Sequence, residues 1–481
     1  MSQPLVPLSV EKIGGTTMSD YHSVRDNVVL GYRTSPYQRI LVVSAYGGVT
    51  DRLLEHKKSG RPGVFALFRA DAGDDAWIEA LEDLRQMMRE INAQWFKADR
   101  LVAANDFVDG RIDQARSCLE DLASLCCHGH FTLSAHLQTV RELLASIGEA
   151  HSAWNLANLL DADGINTQFV DLTGWDDDRP MDLDERIKMA IENMDTNRYL
   201  PIVTGYARST KGLMTTFDRG YSEMTFSRLA VLSQAGEAII HKEFHLSSAD
   251  PKLVGLDKAV PIGRTNYDVA DQLANLGMEA IHPRAAKGLR QQGIPLRVRN
   301  TFDPTHEGTL ITRDWENTRP CVEIIAGCKK VFAIEVFDQD MAGELGRYDT
   351  ALLEAIKRYN ARIIAKDLNA NTITHYLAAN LKTIKRILEH LADVFPGADC
   401  YYRRVAVISA IGSNMKLPGI LAQTVGAVAS ANISVLALHQ SMREVDIQFI
   451  VDEKDYELAI KSLHSTLIEV HDHGRAIRLA S

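Results

Sequence analysis

The stretch Leu8-Ser-Val-Glu-Lys-Ile-Gly-Gly-Thr-Thr17 runs a strand-sized segment, Leu8 to Ile13, straight into a double glycine followed by two hydroxyls. Two successive glycines let the backbone turn sharply and approach a ligand closely. Backbone N–H groups in such a turn, next to a helix start, form a nest for an anion. Lys12 ahead of Gly14 and Gly15, with Thr16 and Thr17 behind them, adds charge and orientable donors, as a polyphosphate requires. Taken alone, the pattern fits an ordinary structural turn as well.

Working outward, the arrangement returns in Ser44-Ala-Tyr-Gly-Gly-Val-Thr50, which follows a second strand-like run, Arg39 to Ser44. Two such elbows on successive strands lie side by side at the carboxyl edge of a parallel sheet, where open α/β proteins bind ligands. Three more runs, Thr167 to Leu172, Leu200 to Thr204 and Glu237 to His241, and a helical stretch from Met224 to Gln234 indicate βαβ crossovers. Between Trp77 and Ser146 the spacing turns helical, with Leu81, Leu84, Met88, Ile91 and Trp95 on one face, so a helical insertion is expected over about 75–147. Neither a Gly-x-x-x-x-Gly-Lys-Ser/Thr nor a Gly-x-Gly-x-x-Gly motif occurs, which disfavours a Walker-type NTPase and a dinucleotide dehydrogenase.

A chain of 481 residues exceeds one hydrophobic core and calls for two to four domains. With 46% hydrophobic and 24% charged residues it is neither disordered nor fibrous, and a net charge of −10 without a Lys/Arg block argues against a nucleic-acid partner. Cys118, Cys126, Cys127, Cys321, Cys328 and Cys400 lack zinc spacing. Cys126 and Cys127, ahead of His128 and His130, read as buried small side chains, and no metal-ligand set is assigned. The longest apolar runs are strand-sized, such as Ile40 to Val43, and the amino terminus lacks a signal-peptide pattern, so a cytoplasmic protein without a membrane partner is expected.

Asp314-Trp-Glu-Asn-Thr-Arg-Pro320 reads as a linker. Beyond it, a strand from Val331 to Phe337, a helix from Thr350 to Tyr359 and a strand from Ala361 to Lys366 form one unit. A similar unit follows: strand Arg404 to Ile411, helix Gly419 to Ala431, strands Ser434 to Leu438 and Asp446 to Val451, helix Tyr456 to Ile468. Two such units in tandem suggest a paired ligand-sensing module.

Two further segments carry candidate chemistry. In Thr215-Thr-Phe-Asp-Arg-Gly-Tyr-Ser-Glu223, Arg219 offers a planar fork for a carboxylate, Ser222 a hydroxyl and Glu223 an acid at a helix start. A capping turn using Asp218 or Ser222 fits the same residues. Gly148-Glu149 opens a helical stretch toward Leu160, where a glutamate also suits the first turn of a helix.

In order, these segments resemble the aspartokinases of the amino-acid kinase family. Lys12-Ile-Gly-Gly-Thr-Thr17 resembles the family's opening Lys-Phe-Gly-Gly-Thr-Ser, and Val42 to Asp51 its second glycine turn. Gly148-Glu149, Val203 to Tyr206, Thr215-Thr216, Arg219-Gly220 and Ser222 fall in the family's order. Ile281-His-Pro-Arg284, Ile294 to Thr301 and Gly308 to Ile311 match the close of its kinase domain, and Val405 to Gly412 with Gln448 to Val451 resembles an ACT domain. The resemblance implies an α/β amino-acid kinase fold over 1–312, a mainly parallel sheet flanked by helices, then two βαββαβ ACT-type domains at 321–398 and 399–481.

The resemblance further implies ATP-dependent phosphorylation of the aspartate side-chain carboxylate, with Mg²⁺. Lys12 and Glu223 would be catalytic, and Lys12, Gly14, Gly15, Thr16, Thr17 and Lys252 would bind the phosphates. Ser44, Thr50, Glu149, Tyr206, Arg219 and Ser222 would bind aspartate. An amino-acid effector is implied at Gln339, Asp340 and Asn369, in a homodimer or larger homo-oligomer. Departures are concentrated in the nucleotide segment: Asp218-Arg-Gly-Tyr-Ser-Glu223 replaces Gly-Arg-Gly-Gly-Ser-Asp, His241 to Lys252 diverges from the usual Thr-Asp-Val-Asp-Gly pattern, and Glu279 stands where a lysine is expected. This divergence is similar to the aspartokinases associated with ectoine synthesis. Two alternatives stay open: a kinase for another amino-acid carboxylate, and a catalytically weak effector-binding subunit.

Overall fold

β1 (Ser9–Ile13), β2 (Arg39–Val43), β3 (Thr167–Val170), β4 (Leu200–Thr204) and β5 (Glu237–Lys242) pair in parallel in the order β3-β4-β2-β1-β5. In chain order the short β6 (Arg264–Asn266) comes next, and β7 (Leu296–Asn300) and β8 (Thr309–Thr312) extend this sheet beyond β5, β8 antiparallel. Every residue of β1, β2 and β4 is buried, as expected of parallel strands covered on both faces. The chain builds outward from β1 in both directions, which leaves a crevice at the carboxyl ends of β1 and its neighbours. Register fixes that edge: Ile13 lies beside Val43 and His241, and Val43 beside Thr204.

The computed structural model describes residues 7–56, 59–175, 177–217, 220–278 and 280–469. It divides into one unit of Met1–His245 with Ile281–Arg313 and another of Leu246–Ala280 with Asp314–Ser481. In the first, helices Ala76–Trp95, Ala98–Cys126 and Leu137–Ala162 make up the helical excursion expected from the spacing. The last of these differs from expectation. Gly148 and Glu149 lie in the middle of a 26-residue helix rather than at its start. The glycine is there for contact: a Cβ at Gly148 would sit 2.9 Å from the Ala45 Cβ and 3.0 Å from the Val49 Cγ1. Cys126 and Cys127 also depart from expectation, because Cys127 is exposed and Cys126 only partly covered at the end of their helix. Among the described residues no cluster of three His, Cys, Asp or Glu side chains could hold a metal ion, and no helix is long and apolar enough to cross a membrane.

In the second unit, β9 (Ile324–Phe337), β10 (Arg362–Asn369), β11 (Thr372–Ala378), β12 (Asp399–Ile411), β13 (Val435–Gln440) and β14 (Asp446–Asp452) form an antiparallel sheet in the order β10-β11-β9-β12-β14-β13. The long β9 and β12 serve two halves. Val331–Phe337 pairs with β11 and with residues 399–405, while Ile324–Cys328 pairs with residues 407–411. Between them the register shifts, and Lys330 takes a left-handed φ of 62°. Helices Leu345–Arg358 and Leu381–Val394 cover the first half, and Ile420–Ser430 and Tyr456–Leu467 the second, each pair over its own apolar core. Each half is thus a four-stranded sheet with two helices. The second draws its fourth strand from before the first, whereas the sequence suggests two units end to end.

Candidate active site

Lys12 ends up opposite Glu223 because of the pleat of β1. Alternate side chains of a strand point to opposite faces. Glu11 enters one face and Lys12 the other, which the helix Tyr221–Leu232 covers. Lys12 Nζ lies 3.6 Å from Glu223 Oε1, both side chains almost buried. The other carboxylate oxygen of Glu223 accepts the backbone N–H of His282 at 2.5 Å. Glu223 sits in the first turn of its helix, where a carboxylate is favoured by the helix dipole. Gly220, at a left-handed φ of 79°, occupies the N-cap of this helix, so Ser222 does not cap it, and Asp218 lies outside the described residues.

The two glycine elbows touch. A Cβ on Gly15 would stand 2.6 Å from the carbonyl oxygen of Ala45, so glycine is needed for the turns to pack. Gly14 N–H donates to the His241 carbonyl at 3.4 Å, so that donor is engaged with β5. Thr16 is exposed, while Thr17 is fully buried and its hydroxyl finds no partner among the described residues.

A third glycine gathers the remaining residues. A Cβ at Gly205, just past β4, would lie within 2.8 Å of the Ser222 Cβ, the Val43 carbonyl and Glu149 Oε2. Ser44 and Ser222 hydroxyls stand 3.4 Å apart. Glu149 is only 2% exposed and acts on Tyr221, whose hydroxyl pairs with Thr50. Burial first, then the Glu149 charge, raises the Tyr221 phenol well above its ordinary value. The Tyr206 ring meets Tyr221 edge-on with centroids 6.0 Å apart, and its hydroxyl donates to Glu142 Oε2 at 2.7 Å. A cavity of about 830 Å³ lies on this side, lined by Glu142, Ser146, Trp175, Tyr206, Arg208 and Thr215.

Lys12, Ser44, Thr50, Glu149, Tyr206, Ser222 and Glu223 are therefore brought together. Lys252 belongs to the second unit, where its N–H donates to Asp250. Arg219 and Glu279 lie outside the described residues.

Sequence reasoning passed over Glu11, Arg39 and His241 as a group. Arg39 Nε and Nη2 donate to the two Glu11 oxygens, each at 2.7 Å, and the Tyr32 hydroxyl and His241 Nε2 bond the same carboxylate at 2.6 Å and 2.8 Å. Burial drives the Glu11 carboxyl up, but the Arg39 guanidinium and the hydrogen bonds outweigh it and hold Glu11 well below the usual carboxylate range. Burial lowers His241 against the pull of Glu11. The His241 imidazole is thus occupied by this cluster. The signal was available: a charge inside β1 and an opposite charge opening β2, on strands already expected to adjoin.

A parallel sheet with paired glycine elbows, a lysine–glutamate pair and buried polar groups at one edge defines a site built to hold anions. Residues 7–300 match the description "Amino acid kinase family" and residues 408–467 an ACT domain. The chain is 52% identical to aspartate kinase Ask_Ect of Stutzerimonas stutzeri (strain A1501), over 98% of this chain and 100% of that protein. It is 23% identical to the bifunctional aspartokinase/homoserine dehydrogenase 1 of Arabidopsis thaliana chloroplasts, covering 95% of this chain and half of that one. Among solved structures, E. coli aspartokinase III in complex with lysine and aspartate matches its fold with a TM-score of 0.74 at 18% identity, over 96% of this chain and 99% of that one. The chain belongs to the amino acid kinase family, among its aspartate kinases.

Proposed function

We propose that this chain transfers the γ-phosphoryl group of ATP to the side-chain carboxylate of L-aspartate, giving 4-phospho-L-aspartate. The observation that carries this reading is the convergence of Lys12, Glu223, Ser222, Ser44 and Glu149 at one sheet edge, in a chain 52% identical to an aspartate kinase over nearly its whole length. The acceptor carboxylate is already ionised at neutral pH, so no general base is needed. What must be overcome is repulsion between two anions, which makes positioning and charge neutralisation the whole of catalysis. Lys12 would face the transferring phosphoryl oxygens, with Glu223 holding its ammonium in place. Gly15, Thr16 and Thr17 would line the phosphates, with Gly14 shaping their turn. Arg219 would clamp the α-carboxylate of aspartate, Glu149 its ammonium, and Ser44, Thr50, Tyr206 and Ser222 would shape the pocket.

The donors fit Mg²⁺-ATP: Glu223 supplies one carboxylate beside a lysine, and Mg²⁺ is commonly held by one or two carboxylates together with substrate phosphates. When bound, Mg²⁺ would neutralise phosphate charge. The amino-acid effector, the homo-oligomer and the ectoine-associated branch belong to the same proposal, supported by the ACT match and by the relative named Ask_Ect. The test is ADP release with ATP, Mg²⁺ and aspartate, against glutamate and against no acceptor. Aspartate-dependent release is expected. Release that prefers glutamate, or none at all, sinks the assignment.

A further inference from the structure

Glu142 stands in the second turn of the helix Leu137–Ala162, seven residues before Glu149. Seven residues are about two helical turns, so the two carboxylates share one face of one helix. Three donors converge on Glu142. Tyr206 Oη–H bonds one oxygen at 2.7 Å, and the Thr215 N–H and hydroxyl bond the other at 3.0 Å and 3.3 Å. Thr215 is the third residue of the short helix Leu213–Phe217. The first N–H groups of a helix lack partners inside it, so Glu142 caps this helix from outside. Room is made for it by Gly212, where a Cβ would stand 2.7 Å from Glu142 Oε1 and φ is 71°.

Both tethers lead to the acceptor residues. Tyr206 packs edge-on against Tyr221, which pairs with Thr50 and feels Glu149. In sequence the capped helix comes just before the helix Tyr221–Leu232, which carries Ser222. Phosphoryl transfer has no step for Glu142, and a cap alone does not call for a charged side chain shared with a tyrosine.

We infer that Glu142 is a positioning residue for the acceptor. It holds the Tyr206 ring and the helix Leu213–Phe217 at the spacing that admits a four-carbon amino dicarboxylate and disfavours a five-carbon one. The inference rests on the proposed reading that Tyr206 faces aspartate. Misplacing an orienting group by about 1 Å costs up to a hundredfold in reactivity.

The experiment uses full-length Glu142→Ala, Glu142→Gln and Tyr206→Phe, with KM for aspartate, glutamate and ATP and the thermal shift caused by aspartate alone. Glu142→Ala should raise the aspartate KM about tenfold, the scale of one charge-assisted hydrogen bond, and leave the ATP KM within about twofold. Glu142→Gln, which keeps one acceptor oxygen, should recover part of the loss, and the preference for aspartate over glutamate should narrow. Glu142→Ala combined with Tyr206→Phe should cost less than the sum of the two singles. If Glu142→Ala fails to fold, the Gln and Phe variants carry the same test. Variants of parental thermal stability with an unchanged aspartate KM, or with equal losses for aspartate and ATP, overturn the positioning role. If the parent chain neither shifts with aspartate nor releases ADP with it, the kinase reading falls and this inference with it.

Discussion

Glu11 and Lys12 are neighbours in the chain, yet a strand's pleat gives them opposite work. Glu11 is wholly buried against Arg39, and removing one partner of such a pair strands the other charge without water. Glu11→Gln should therefore lower stability by about 3–5 kcal/mol, seen as a depressed thermal midpoint. On the proposed reading Lys12 faces the phosphates, so Lys12→Ala should cut turnover by about two to three powers of ten, the scale of one lost electrostatic donor. Its thermal midpoint should stay near the parent's. A folded Lys12→Ala enzyme with near-normal turnover would remove Lys12 from the reaction. The lysine was legible in the sequence because it precedes two glycines. The Glu11–Arg39 pair was not, because a lone charge in a strand has no partner until the strand order is known.

At the scale of elements, the helix Leu137–Ala162 binds the insertion to the sheet edge, and its interior is where sequence reasoning went astray. A glycine and a glutamate in succession look like a helix start, because glycine inside a helix is costly. Here the contact of Gly148 with Ala45 and Val49 outweighs that cost. Such close approaches between elements leave no local signal. Gly205 is the matching case at the end of β4. Gly205→Ala would press a methyl onto the Val43 carbonyl, Ser222 and Glu149, so activity should fall at least tenfold, the scale of one lost orienting contact, together with the thermal midpoint. The same helix carries His151, bonded to Asn92 of the helix Ala76–Trp95 at 2.7 Å, with burial pushing its pKa down to about 3. A base whose folded pKa lies below its unfolded value of about 6.5 stabilises the fold above that value and loses this contribution as pH falls. Stability should drop between about pH 6.5 and pH 3 by up to about 1.4 kcal/mol per pH unit from this group. His151→Gln should flatten the acid limb of a thermal-midpoint profile, and an unchanged limb would assign the acid sensitivity elsewhere.

For the whole molecule, the parallel order of the first unit and the helix–strand rhythm of the second follow from periodicity, since the two periods survive in any context. What periodicity cannot carry is the division of labour within β9 and β12, because a strand that serves two halves looks like one strand until its partners are known. The end of β9 and the turn between β10 and β11 meet at one end of the first half: Phe337 lies beside Thr372, and Asp338 N–H donates to the Asn371 carbonyl at 3.1 Å. Asp338 also accepts the Asp340 N–H at 2.9 Å and the Tyr348 hydroxyl at 2.8 Å, so it holds the turn while Gln339 and Asp340 stay exposed on it. Gln339, Asp340 and Asn369 thus rim one corner with short polar side chains, suited to an ammonium and a carboxylate. A ligand there changes catalysis only if it prefers one of two arrangements of the protein, and tenfold inhibition requires a preference of about 1.4 kcal/mol. An aspartate-derived amino acid such as threonine or lysine is expected to lower activity and, by binding the folded state, to raise the thermal midpoint. Asp340→Ala should abolish both responses and leave turnover without effector intact, because the second unit's corner lies on β9, outside the sheet that carries Lys12. Titration of each amino acid against activity and thermal midpoint, in parent and variant, decides it. No response in the parent removes the sensor from this corner, and equal responses in parent and Asp340→Ala move it to other residues.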